Sequence, residues 1–111
     1  MKHLAMAVVI RDGKVLIQER YRPAQGMIME FPGGEVDSNE SGTNAAVREL
    51  YEETHLSGLS HVATYSDINE YGGRIYYVVL HRTQGYNTAA IRIIGRYAQV
   101  RCVVHTLGKT G

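Results

Sequence analysis

Apolar residues run almost unbroken from Leu4 to Ile10 and then give way to Arg11-Asp12-Gly13-Lys14. Asp-Gly between two apolar runs is what a two-residue hairpin selects, because both central positions need positive φ. The pattern predicts a strand over 3–10 and a returning strand over 14–19. Pro23 and Gly26 mark residues 21–27 as a loop, followed by a short strand over 27–31 that ends at Pro32-Gly33-Gly34. A polar stretch, Asp37-Ser38-Asn39-Glu40-Ser41, then leads into a helix over 43–55. Ser41 or Thr43 can cap it, and Ala45, Ala46, Val47 and Leu50 supply helix propensity and an apolar stripe. Residues 59–68 and 74–82 read as two strands around Gly72-Gly73, the second built from strand formers, Ile75-Tyr76-Tyr77-Val78-Val79.

The end of the chain carries two periodicities at once. Residues 99–106 are rich in β-branched side chains, yet Ala90, Ile93, Ile94, Tyr97, Val100 and Val104 also fall on one helical face. The β-branched content favours a strand over 99–106. No internal repeat and no low-complexity linker divides the 111 residues, so the expectation is one domain over 1–111 with an atypical tail at 84–111.

Composition excludes several classes. A formal net charge of +1 gives no bulk attraction to nucleic acid or to acidic membranes, so neither is expected as a partner. The apolar opening is too short to cross a bilayer and no small-residue cleavage site follows, which points to the cytoplasm. The single cysteine, Cys102, forms no internal disulfide and reads as a small buried hydrophobe. Charge is nevertheless unevenly spread. All 11 acidic residues lie at or before Glu70, and only basic residues follow: Arg74, Arg82, Arg92, Arg96, Arg101 and Lys109.

Candidate chemistry sits on the helix. At about 100° per residue, Glu49, Glu52 and Glu53 fall within one arc, beside the arc of Ala46, Val47 and Leu50 that packs on the sheet. Like charges at these spacings destabilise a bare helix by a few tenths of a kcal/mol per pair, about 0.2–0.5. Arg48 alone offers relief nearby. Two readings follow. One is a solvated acidic face; the other is a site for a hard cation, since carboxylate oxygens without sulfur suit magnesium or manganese. The glycines that follow the third strand free the backbone for a tight turn or the close approach of an ion.

Gly34, Glu40 and Arg48-Glu49-Leu50-Tyr51-Glu52-Glu53 stand at the spacing of the Nudix box, and the chain resembles the MutT-like branch of that family. The likeness covers residues 1 to about 82, including Glu30-Phe31-Pro32-Gly33-Gly34 and Leu16-Ile17-Gln18-Glu19-Arg20. One defining position departs, with His55 where the family has the glycine that ends the helix. His55 is then expected in the left-handed conformation at a cost, or the helix ends one residue off with Gly58 taking over the turn.

The resemblance implies an α/β/α sandwich around a mixed β-sheet, with the usual C-terminal helix missing or replaced. It implies a metal-dependent pyrophosphohydrolase that uses Mg²⁺ or Mn²⁺. By position, Glu52 and Glu53 become the main metal ligands, helped by the Gly33 carbonyl. Glu49 becomes a ligand or the group that accepts the proton of water. Arg48 pins the carboxylates, and Glu40 and Gly34 support the arrangement. Arg20 sits where such enzymes hold the nucleotide. Phe31, Tyr76 and Tyr77 stack a base or fill the core, the core being expected for at least two of them.

The first substrate expected is a nucleoside triphosphate, including an oxidised one. The alternatives are an ADP-sugar, a dinucleoside polyphosphate, or binding without turnover as a sensor. Relatives often carry a later acidic residue, for which Asp67 and Glu70 are the late candidates. The acid-free tail has two expected origins, a frameshifted or truncated gene or a variant that covers its sheet by forming a homodimer.

Overall fold

The computed structural model describes residues 2–82 and 100–106. It contains strands β1 (Leu4–Arg11), β2 (Lys14–Arg22), β3 (Gly26–Glu30) and β4 (Gly33–Glu35), helix α1 (Gly42–Thr54), and strands β5 (Ser60–Ile68), β6 (Arg74–His81) and β7 (Val100–Thr106). All seven strands join one mixed sheet in which β1 and β6 run parallel and the other pairs are antiparallel. The strand expected at 99–106 is present as β7, paired to β2 from Lys14↔Thr106 to Arg20↔Val100. Residues 83–99 and 107–111 lie outside the described residues. The expectations of a second helical layer and of a missing or replaced C-terminal helix concern residues outside those described.

The sheet splits between its first two strands, and the split makes the site. β1 and β2 pair only beside their turn, at Ile10↔Val15 and Arg11↔Lys14. That turn has φ of 50° at Asp12 and 72° at Gly13, as the Asp-Gly pair requires. Further on, the edge of β1 that faced β2 takes up β4, and the edge of β2 that faced β1 takes up β3. Two expectations change here. Residues 21–27 are largely strand, because Tyr21↔Met27 and Arg22↔Gly26 extend the β2–β3 hairpin and leave only a tight turn closed by the Gln25 N–H donating to the Arg22 carbonyl at 2.9 Å. Gly33 and Gly34 are not a turn either: they pair with Met6 and Ala5 as strand β4.

One face of the sheet carries α1. Period-two alternation sends Ala5, Ala7 and Val9 of β1, Leu16 of β2, and Val78 and Leu80 of β6 into the core, where they meet Ala45, Ala46 and Leu50. Val47, expected on this stripe, is 41% exposed instead. The buried face runs through Gly42, Ala45, Ala46, Leu50 and Thr54, and Val47 points away from it. Gly42 lets the first turn lie on β6, since a Cβ there would run into the Tyr76 ring. Tyr76 packs against the core, Phe31 is half-buried, and Tyr77 is exposed.

Both ends of α1 are capped. Ser41 accepts from the Asn44 N–H at 3.0 Å, which selects it over Thr43 as the N-cap. At the other end His55 adopts φ 61° and its N–H donates to the Tyr51 carbonyl at 2.8 Å. The left-handed cap that a glycine would supply is thus kept by a residue with a Cβ.

Candidate active site

The carboxylates of α1 face the place where β1 and β2 diverge. A cleft of about 600 Å³ opens there, lined by Arg20 and Arg22 of β2, Gly33, Gly34 and Glu35 of β4, Asp37, and Glu49 and Glu53 of α1. That volume is in the range that holds a nucleotide-sized molecule. Of the residues singled out from sequence, Arg20, Gly33, Gly34, Glu49 and Glu53 meet in this cleft. Glu52, Arg48 and Glu40 stand behind it, and Phe31, Asp67 and Glu70 are not among its lining residues.

Arg48 organises the acidic wall. Its Nε donates to Glu40 Oε2 at 2.8 Å, Nη1 to Glu49 Oε1 at 2.9 Å and to both oxygens of Glu52 at 3.3 Å, and Nη2 to the Glu35 carbonyl at 2.9 Å. Asp37 adds an ion pair at 3.4 Å. One planar fork thus ties the helix to the loop before it and to β4. The bond from Arg48, helped by the Asp37 N–H, holds the Glu40 carboxyl below its usual range. The same contacts raise the guanidinium's pKa, so it stays charged.

Glu49 reaches the cleft because residue 34 has no side chain. A Cβ on Gly34 would lie 2.7 Å from both carboxylate oxygens of Glu49. Glu53 is held differently. Gln18 Nε2 donates to its Oε2 at 2.5 Å, and the Gly33 backbone also hydrogen-bonds it. Burial pushes the Glu53 carboxyl up to about 7, reinforced by Glu49, against the opposing pull of Gln18, Gly33 and Arg20. Arg20 pairs with Glu30 at 3.3 Å across the β2–β3 hairpin.

The donor set fits a hard divalent cation. It consists of oxygen, two of its carboxylates line an open cleft, and Mg²⁺ is commonly held by one or two carboxylates with water completing its shell. Among the described residues no three acidic, histidine or cysteine side chains form a ready-made cage, and Glu52 is paired with Arg48.

Gln18, Arg22, Glu35 and Asp37 join the site without having been singled out from the sequence. Gln18 and Arg22 had a signal: they share the period-two face of β2 with Leu16 and Arg20. Glu35 and Asp37 had none, since their place depends on β4 pairing with β1.

Among the described residues, no helix is long and apolar enough to cross a membrane. The family model described as NUDIX domain matches residues 1–92. A CTP pyrophosphohydrolase of Escherichia coli (strain K12) is 37% identical over 81 residues, which cover 70% of this chain and 58% of that protein. An ADP-ribose pyrophosphatase of Saccharomyces cerevisiae is 44% identical over 52 residues, 43% of this chain and 22% of that protein. The chain therefore spans less than two thirds of the length of either relative. The solution structure of the E. coli ORF135 protein superposes with a TM-score of 0.62 at 27% identity, covering 96% of this chain and 74% of that one.

Proposed function

The chain belongs to the Nudix family, and we propose that it is a pyrophosphohydrolase that cleaves the diphosphate of a nucleotide with the help of a divalent cation. The observation that carries this reading is the charge of the cleft. Four acidic residues, Glu35, Asp37, Glu49 and Glu53, line it against two arginines, Arg20 and Arg22. A polyanionic diphosphate entering such a cleft needs positive charge between itself and the acidic wall. Glu49, Glu52, Glu53 and the Gly33 carbonyl would hold that ion, Mg²⁺ or Mn²⁺. When bound, the ion neutralises phosphate oxygens and lowers the pKa of the attacking water.

The chain's own residues do the rest. Arg20 and Arg22 hold the anionic substrate on the wall opposite the carboxylates. Arg48 keeps Glu49 and Glu52 from swinging apart. Glu49 receives the proton of the water as oxygen attacks phosphorus and the bond to the leaving phosphate breaks. The preferred substrate is a nucleoside triphosphate, including an oxidised one, in keeping with the CTP-cleaving relative. The ADP-ribose-cleaving relative supports an ADP-sugar as the second reading.

The test is hydrolysis of a nucleotide panel with Mg²⁺ or Mn²⁺ by wild type, Glu52→Gln and Glu53→Gln. Metal-dependent turnover of triphosphates, lost in both variants, is expected. Turnover of ADP-sugars or dinucleoside polyphosphates alone would replace the substrate. Nucleotide binding without turnover by folded protein would replace the enzyme with a sensor.

A further inference from the structure

Gln18 is among the most deeply buried side chains of the described residues, 2% exposed, on the face of β2 where the core side chain Leu16 gives way to the cleft arginines Arg20 and Arg22. Leu16, Gln18 and Arg20 follow one another on that face of β2, and the core around Leu16 is aliphatic. Burying an amide there costs about 1–3 kcal/mol unless it is hydrogen-bonded. Among the described residues the amide hydrogen-bonds Glu53, donating to its Oε2 at 2.5 Å from β2 to a residue 35 positions away on α1.

We propose that Gln18 is a positioning residue that fixes the Glu53 carboxylate for divalent-cation binding in the cleft. The inference rests on the metal reading above and adds a residue to it. Three rotatable bonds separate the Glu53 carboxylate from the helix, and ordering such a side chain costs up to about 2 kcal/mol of rotamer entropy. Gln18 from β2 and the Gly33 backbone from β4, which pairs with β1, hold it from the two sides of the split in the sheet. The ordering is thus complete before a cation arrives. Occupying Oε2 with a neutral donor leaves the carboxylate's charge and remaining lone pairs for the cation. Hydrogen-bond partners of metal ligands commonly change metal affinity by about 10- to 100-fold when removed.

The experiment is an EPR titration of free Mn²⁺ against metal-free protein, without substrate, so that catalysis plays no part. Wild type is compared with Gln18→Met, Gln18→Leu, Glu53→Gln and the double variant Gln18→Met/Glu53→Gln, each checked by urea unfolding. Met keeps the length and Leu the volume of the core position, so that one folded variant suffices. We expect Mn²⁺ affinity to fall about 10-fold or more in either Gln18 variant. In the Glu53→Gln background the Gln18 substitution should have no added effect. Wild-type affinity in a folded Gln18 variant, with affinity lost in Glu53→Gln, would overturn the role of Gln18 and leave the metal reading standing. An equal loss in both backgrounds would overturn it too, since Gln18 would then act elsewhere than through Glu53. Unchanged Mn²⁺ binding in Glu53→Gln would remove the metal reading and this inference together.

Discussion

Arg48 Nε lies 2.8 Å from Glu40 Oε2 while Nη1 of the same guanidinium lies 2.9 Å from Glu49, so one side chain fastens the helix to the loop that precedes it. The helix could carry its three glutamates without this tie, but their directions would be free. If the glutamates hold a cation as proposed, Arg48→Ala should lower activity by about 10- to 100-fold, the usual cost of losing a group that orients such ligands. Arg48→Lys should recover little, because an ammonium cannot reproduce the planar fork that reaches Glu40, Glu49 and the Glu35 carbonyl together. Steady-state kinetics on both variants decides this, and full activity in Arg48→Lys would count against it.

Gly34 gives a test of the packing of Glu49. Alanine there would press its Cβ against both oxygens of Glu49, which must then move out of place. A displacement of about 1 Å at a reacting centre can cost about a hundredfold in rate. Gly34→Ala is expected to lose most of its kcat while its circular dichroism stays that of the wild type. Wild-type kcat would show that Glu49 has room to give.

Glu53 and Glu40 predict opposite responses to pH in the metal-free protein. The folded-state pKa of Glu53 is raised from 4.5 to about 7, so the folded protein holds this proton more tightly than the unfolded chain. Its contribution to stability is full below the unfolded pKa and is lost as pH rises towards 7. The folded-state pKa of Glu40 is lowered, so its contribution is present above the usual carboxylate range and is lost as pH falls through the folded value. Thermal unfolding of the metal-free protein should therefore show a melting temperature that declines between about pH 5 and pH 7. Glu53→Gln should flatten that decline, and a slope that persists in the variant would assign it to other groups. Mg²⁺ or Mn²⁺ should raise the melting temperature more at pH 8 than at pH 5, because a cation favours the ionised carboxylate.

His55 holds a left-handed backbone, φ 61°, that glycine adopts without strain. For a residue with a Cβ that conformation costs about 1–2 kcal/mol, part of which glycine gives back through the entropy of its unfolded state. His55→Gly also loses the edge contact with the Tyr51 ring, whose centroid is 5.5 Å away. The net expectation is a gain of about 0.5 kcal/mol in urea unfolding, with little change in kcat. A clear destabilisation would mean that the Tyr51 contact outweighs the strain.

Much of this protein is written in local signals. The Asp12-Gly13 turn, the Ser41 cap, the helix over Gly42–Thr54 and the strands that became β1, β5, β6 and β7 follow from periodicity and turn chemistry, because each depends on residues close in the chain. The spacing of Gly34, Glu40, Arg48, Glu49, Glu52 and Glu53 carried the family for the same reason: most of those residues share one helix. What the sequence alone could not decide is what long-range pairing creates. Whether Gly33-Gly34 turns or pairs was settled by β1 diverging from β2 and exposing an edge at Ala5 and Met6. Whether Val47 is buried was settled by which side of α1 met β1 and β6. The meeting of Gln18 with Glu53 joins residues that no local rule connects, and only the split sheet and the helix laid across it bring the amide to the carboxylate.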